Sequence, residues 1–282
     1  MYQRQYGLIR TLAPLHVGAS AGEEAGNLNL IFRDPFTQTG IIPGSSIRGR
    51  FRAECRSPKP STDGGEGSSL CTHWYGSPSD AGKDEIKEGN VKFEHASLVW
   101  LPVFCPGQPI VWVSCPRLLR RYASIANPSL CGKEPKAYSG SQQLPKKLFF
   151  NLGFITIKHP VNLSPWAPST LLNDLPTDRL LVVDDADMGL IHDMALYRQS
   201  RVKLEDNEKR VVEFFNVEAL PEGCVLVFPI AIKPQDTHSW QPLESKGGEL
   251  YFGGLESVGF GRCFVTLHSP ISANQQAPQE AR

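Results

Sequence analysis

Ile42-Pro43-Gly44-Ser45-Ser46-Ile47-Arg48-Gly49-Arg50-Phe51-Arg52 is the stretch on which the reading of this chain turns. Pro43 and Gly44 interrupt what precedes them. Ser45 or Ser46 supplies a side-chain cap, and Ile47–Cys55 has few breakers, so a helix is expected here. Small residues at a helix start leave backbone N–H groups free, and with the helix dipole they form an anion site. Between Arg33 and Arg56 there are five arginines against Asp34 and Glu54. Fixed cations beside N–H donors suit a phosphate backbone and carry no base-specific information. The same composition also fits a helix with a solvated basic face.

The rest of the chain sets bounds on that reading. It has 282 residues, with 29 Lys+Arg balanced by 29 Asp+Glu, so a uniformly basic protein is excluded. The apolar fraction of 40% is that of a folded chain. Twenty-five glycines and 23 prolines point to many turns and few long helices. The seven cysteines include no C-x-x-C pair, and they read as reduced, mostly buried thiols in a cytosolic protein. The N-terminus has no long apolar run of the signal-peptide kind. Leu98–Val113 is the most apolar stretch, but Pro102, Pro106, Gly107 and Pro109 break it, so no membrane partner is expected.

Strands are expected over Tyr6–His16, Leu28–Phe32, Val91–Trp100, Ile110–Ser114, Leu180–Val183, Cys224–Ile232, Leu250–Phe252 and Cys263–Leu267. Arg198–Leu204 and Val211–Val217 read as a β-hairpin with a charged tip. Ser57–Ser69 reads as a surface loop, Leu70–Gly76 as a short apolar knot, and residues 271–282 as a disordered tail. This order gives an α+β fold with ferredoxin-like packing and long insertions.

Two further motifs stand out. Gly253-Gly254-Leu255-Glu256-Ser257-Val258-Gly259-Phe260-Gly261-Arg262 permits close backbone approach. It lacks the Lys-Ser/Thr ending of a P-loop, so a tight turn and a nucleic-acid contact both remain open. Asp184, Asp185 and Asp187, with His192 and Asp193, resemble a metal cluster, but helix capping explains the aspartates better. No histidine has metal-ligand spacing, and no metal site is expected.

These parts coincide with a known pattern: His16-x-Gly18 after the first strand, Arg33-Asp34-Pro35, Ile42–Gly49, and Gly253–Arg262. The chain resembles the RAMP superfamily of CRISPR–Cas proteins, and more narrowly the repeated backbone subunit of type III-B (Cmr-like) effector complexes. The resemblance spans most of Leu8–His268. It implies a single domain over residues 1–270, a modified ferredoxin-like (RRM-like) palm with long loops and an inserted hairpin thumb near residues 198–219. It implies a cytoplasmic ribonucleoprotein in which copies stack along CRISPR RNA, present complementary target RNA and contact other effector subunits. By position, His16, Gly18, Arg33, Ser45, Ser46, Arg48, Arg50, Gly253, Gly254, Gly259 and Gly261 would lie at the RNA.

Slicing members of the family carry an aspartate five positions before the arginine of the R-[DE] pair. That position reads Leu28 here, between Asn27 and Asn29. An asparagine is no general base and a poorer metal ligand than a carboxylate. The expectation is therefore an RNA-binding subunit with lost or weakened cleavage. The alternative is a Mg²⁺-dependent endoribonuclease cutting guide-bound target at six-nucleotide intervals, with Asn27, Asn29 or Asp34 as catalytic candidates, or Glu23 or Glu24 after a shift of the loop. A guide-processing endoribonuclease needs a His/Tyr/Lys acid–base set that cannot be assembled from these residues.

Overall fold

The computed structural model describes residues 1–18, 28–56, 66–77, 87–108, 110–151, 153–168, 175–205, 211–234, 239–243 and 247–270. The chain opens with β1 (Gln3–Thr11), β2 (Leu28–Asn29), β3 (Ile41–Ile42), α1 (Gly44–Arg56), α2 (Glu66–Tyr75), β4 (Val91–Phe93), β5 (Ala96–Phe104), β6 (Ile110–Ser114) and α3 (Pro116–Ala126). The middle holds β7 (Ser139–Ser141), β8 (Lys147–Phe150), β9 (Gly153–Thr156), β10 (His159–Val161), β11 (Leu180–Val182) and α4 (Asp185–Ala195). It ends with β12 (Tyr197–Leu204), β13 (Val211–Ala219), β14 (Val225–Ile232), β15 (Gly247–Tyr251) and β16 (Arg262–His268).

The architecture is α+β, built on one mixed sheet. Its main path runs β10-β7-β11-β6-β5-β14-β1-β16-β15. The central strands carry apolar residues at consecutive positions because both faces of the sheet are covered. On β14, Leu226, Phe228 and Ile230 enter one core while Val225 and Val227 enter the other. On β1, Ile9 faces the first core and Tyr6 and Leu8 the second. The first core is closed by Ile47 and Phe51 of α1, Trp74 and Tyr75 of α2, and Met188 and Ile191 of α4. The second is closed by Leu119, Tyr122 and Ala123 of α3 with Leu163 and Trp166. The sheet therefore presents α1 on one side with its N-terminus at the sheet border. Among the described residues, no helix is long and apolar enough to cross a membrane.

Several expectations shift. The first strand stops at Thr11, short of His16, and Pro14 lies in the segment beyond it. The second shrinks to Leu28–Asn29, and Ile31 instead bridges Gly18. Val91–Trp100 is broken at Glu94-His95, and its two parts both pair with β14. The helix begins at Gly44, so Ser45 and Ser46 sit inside its first turn instead of capping it. Pro43 O accepts from the Ser46 and Ile47 N–H groups. A Cβ at Gly44 would lie 2.4 Å from Phe93 O, which is why a glycine occupies that position. The expected loop over Ser57–Ser69 ends early, since α2 starts at Glu66, and the apolar knot at Leu70–Gly76 belongs to that helix and its C-terminal end. The expected tail at 271–282, the hairpin tip at 206–210, and residues 57–65 of the loop lie outside the described residues.

The thiol reading also needs correction. Cys55 of α1 and Cys71 of α2 form a disulfide, with Cα atoms 5.8 Å apart. Local sequence could not reveal this pair, because α2 folds back on α1 only through the tertiary core. The other five cysteines are free. Burial pushes the Cys115 and Cys263 thiols up to about 12, which keeps them protonated and inert.

The disulfide closes a short loop, its cysteines being 16 positions apart. Cys55→Ser is expected to lower stability by about 3 kcal/mol under non-reducing conditions, and to have little effect in excess dithiothreitol. Thermal melts with and without reductant check this. Equal losses in both conditions would show that the cross-link does not form.

Candidate nucleic-acid interface

The first turn of α1 leaves Ser45 exposed and Ser46 half-buried, with the leading N–H groups at the positive end of the helix. The arginines that follow are mostly turned inward. Arg48 donates through Nε to Tyr75 O at 2.8 Å, and its Nη2 donates to the same oxygen. Arg52 Nη1 donates to Ser77 O at 3.2 Å. Both arginines thereby satisfy carbonyls at the C-terminal end of α2, where a cation is favoured. Arg48, expected at a phosphate, is engaged in holding α2. Arg50 pairs with Glu54 at 2.6 Å, four residues along the helix surface. Such a pair contributes only a few tenths of a kcal/mol, so Arg50 is exchanged onto a phosphate more easily than Arg48 or Arg52.

The other predicted residues gather elsewhere, at the base of the β12–β13 hairpin. Gly254 N–H donates to His16 O at 3.0 Å, and Gly261 N–H donates to Pro14 O at 2.8 Å. A Cβ at Gly253 would lie 2.0 Å from His16 O, and Gly253 has φ +77°. Only glycine lets the two motifs touch there. Gly18, Gly253, Gly254 and Gly259 are solvent-exposed, whereas Phe252 and Phe260 anchor the loop in the interior. Phe260 packs edge-on to Tyr197 at 5.9 Å and joins Val217 and Ala219 of β13. The glycine-rich loop is thus an exposed backbone surface fixed to the hairpin's root. The His16 side chain is buried and donates from Nδ1 to Glu218 O at 2.6 Å, so it faces inward.

Glu218 organises this junction, and sequence reading missed it. Its side chain is only 3% exposed. It accepts from Arg33 Nη2 at 2.9 Å, and from Arg198 Nε and Nη2 at 3.2 and 3.1 Å. Arg33 also pairs with Asp193. Beside it, His192 is fully buried and accepts the Gly40 N–H through Nε2 at 2.9 Å. Burial, reinforced by Arg33, pulls the His192 pKa down to about 4. The available signal was an acid within the apolar Val217–Leu220 end of the hairpin strand, since a carboxylate buried there requires a cation.

The catalytic candidates do not converge. Asn29 lies in β2 and pairs in parallel register with Val217 of β13. Asn27, Glu23 and Glu24 lie outside the described residues. Asp34 Oδ1 accepts from Phe36 N, Thr37 N and Thr37 Oγ1, which makes it the lock of its own turn. Burial opposes its ionisation, but the Thr37 and Phe36 hydrogen bonds and nearby His95 outweigh this and hold its pKa below the usual range. A carboxylate so engaged is a poor base and a poor metal ligand. In the acidic run, Asp184 accepts from Ala186 N at 3.0 Å and caps α4. Among the described residues, no three His, Cys, Asp or Glu side chains gather as a metal cluster.

The RAMP superfamily model matches residues 8–264. The chain belongs to the RAMP superfamily. The fold of this RAMP protein is similar to that of type III-B Cmr-beta in its apo state, at 17% identity and a TM-score of 0.71 over 94% of this chain and 97% of that one. It is similar to Cmr-beta bound to cognate target RNA, at 17% identity and a TM-score of 0.70 over 94% and 96% of the two chains. It is also similar to oligomeric Cmr4 from Pyrococcus furiosus, at 16% identity and a TM-score of 0.65 over 96% and 100%. Among curated proteins, none matches this RAMP chain by sequence.

Glu218→Ala removes the charged hydrogen bonds of Arg33, which keeps Asp193, and of Arg198, which is half exposed, so it should lower stability by about 2 kcal/mol, measured by urea unfolding. His192 adds a pH dependence. Its folded pKa, about 4, lies below the ordinary 6.5. The unfolded chain therefore takes the proton first, and stability falls as pH drops from 6.5 towards 4. The slope should reach up to about 1.4 kcal/mol per pH unit. Urea midpoints across this range, compared with His192→Gln, check it, and identical slopes in the two proteins would refute the assignment.

Proposed function

We propose that this chain is a CRISPR RNA-binding backbone subunit of a type III effector complex, stacking on copies of itself along the guide and presenting complementary target RNA. The observation that carries this reading is the exposed start of α1, with Ser45, Ser46 and Arg50, on a fold shared almost end to end with Cmr-type chains. A net charge of zero accords with stacking, since a large like charge on every copy would repel.

The hairpin supports the same reading. Val202 and Phe214 are cross-strand partners, and they are 45% and 61% exposed. Arg201 lies over the Phe215 ring at 5.4 Å. An exposed aromatic and aliphatic pair on a paired ribbon, held at its root by Glu218, is suited to press on an unstacked base.

Binding without cutting is the favoured activity. Leu28 stands where slicing relatives carry an acid, Asn29 is paired in β2 against the hairpin strand β13, and Asp34 is consumed by its turn. The described donors do not fit a Mg²⁺ site, so no step is assigned to that ion.

Arg50→Ala should weaken guide binding several-fold with little dependence on guide sequence, and lower the slope of log K against log salt by about one. Filter binding at a series of salt concentrations measures both. Unchanged binding at moderate salt overturns the helix contact. In the assembled complex with guide and Mg²⁺, labelled complementary RNA should stay intact. A ladder of cuts at six-nucleotide spacing would replace this reading with the endoribonuclease.

A further inference from the structure

Next to the start of α1 lies a cleft of about 320 Å³ that the function above leaves unused. Its walls are the turn Asp34, Phe36 and Thr37, the strand residues His95 and Ser97, and Arg117, Leu118 and Arg121 of α3. We propose that this cleft is a nucleotide subsite for single-stranded RNA, with the Phe36 ring stacking on a base and Arg117 and Arg121 holding the adjoining phosphate. This rests on the RNA-binding reading and extends it to a second contact.

Phe36 is 82% exposed, so its ring is open to stacking by a base. Its turn is well fixed. Asp34 Oδ1 takes three hydrogen bonds from within it, Gln38 N–H donates to Asp34 O at 2.9 Å, and Asp34 N–H donates to Thr39 O at 2.9 Å. A ring held out by a pre-formed turn loses little freedom on stacking. Every base has a π-face, so such a contact tolerates any sequence, as a guide-binding subunit requires.

The polar groups match a nucleotide. Arg117 is exposed, and its guanidinium has one long contact, to Phe36 O at 3.5 Å. Arg121 donates from Nε to Ser97 Oγ at 2.8 Å, which aims its fork. Its contacts to Glu94 and His95 O are 3.5 and 3.4 Å, and Glu94 is 63% exposed, so that pair is weak and screened. Two guanidinium groups thus outnumber the one lining carboxylate, whose Oδ1 is already occupied. Burial and Arg121 lower the His95 pKa, so the cleft also offers a neutral imidazole, able to donate and to accept at a base edge.

The position fits as well. Ser97 pairs with Ile41 in the β3–β5 ladder, and Gly44, three residues after Ile41, opens α1. Three residues span at most about 10 Å. The α1 N-terminus therefore lies within about 15 Å of Ser97, at the border of the sheet.

The test uses the full chain and a fluorescein-labelled oligouridylate, with a second oligonucleotide carrying 4-thiouridine for photo-cross-linking. Wild-type protein should bind and cross-link to the peptide containing Phe36. Phe36→Ala should weaken binding roughly tenfold and Phe36→Trp should restore it. Arg117→Gln should weaken binding and reduce the salt slope by about one. Both positions are exposed, so the fold should survive. If oligouridylate binds and Arg50→Ala weakens it, while Phe36→Ala and Arg117→Gln bind like wild type, the cleft is not a subsite and the guide-binding reading stands. If wild-type chain binds no oligouridylate, both fall together.

Discussion

A carboxylate taken out of water has to be paired, and in this protein the pairing of Glu218 draws four segments of chain to one point. Arg33 reaches it from the turn after the second strand, and Arg198 from the facing hairpin strand. His16 binds its backbone carbonyl. Asp193, at the end of α4, holds the other side of Arg33. An ionised group buried without partners would cost several kcal/mol, so these segments have little freedom to take another arrangement. The hairpin's root and the R-D-P turn are therefore placed relative to one another by charge satisfaction, whereas the glycine-rich loop is held by Phe252 and Phe260 and by backbone hydrogen bonds to Pro14 and His16.

That constraint divides the arginines by purpose. Arg33 and Arg198 neutralise Glu218, and Arg48 and Arg52 close the end of α2 on α1. Around α1 and the hairpin root, the described groups left for a polyanion are the N–H groups and serines at the start of α1, Arg50, and the exposed glycine backbone of the C-terminal loop. A subunit repeated along a strand needs little affinity per copy, because linkage through its neighbours multiplies weak contacts.

The strands β5, β6 and β14 at the middle of the sheet were legible because their apolar runs are long, whereas β3, β7 and β10 are too short to show a pattern, and α4 was legible through its capping aspartate. The helix after Pro43 was legible in place but not in register. Ser45 resembles a cap, yet the start is set by the close approach of Gly44 to Phe93 O, a contact from a strand about fifty residues away. Reading five arginines as one basic face failed for the same reason. Whether a guanidinium faces solvent or the Tyr75 carbonyl depends on where α2 lies, and α2 is itself brought there by the Phe51, Trp74 and Tyr75 core.

By itself, the sequence determined an α+β chain, its strand and hairpin segments, and two motif blocks that mark it as a RAMP protein. These are local properties, carried by periodicity, turn residues and short spacing. The tertiary structure alone decided that His16 faces inward, that Glu218 joins the motifs to the hairpin, that Asp34 is a turn lock, and that Cys55 meets Cys71. Each of these depends on partners distant in sequence, and hydrogen bonds and ion pairs act over a few ångströms. No local pattern encodes them until the sheet has brought its crossings together.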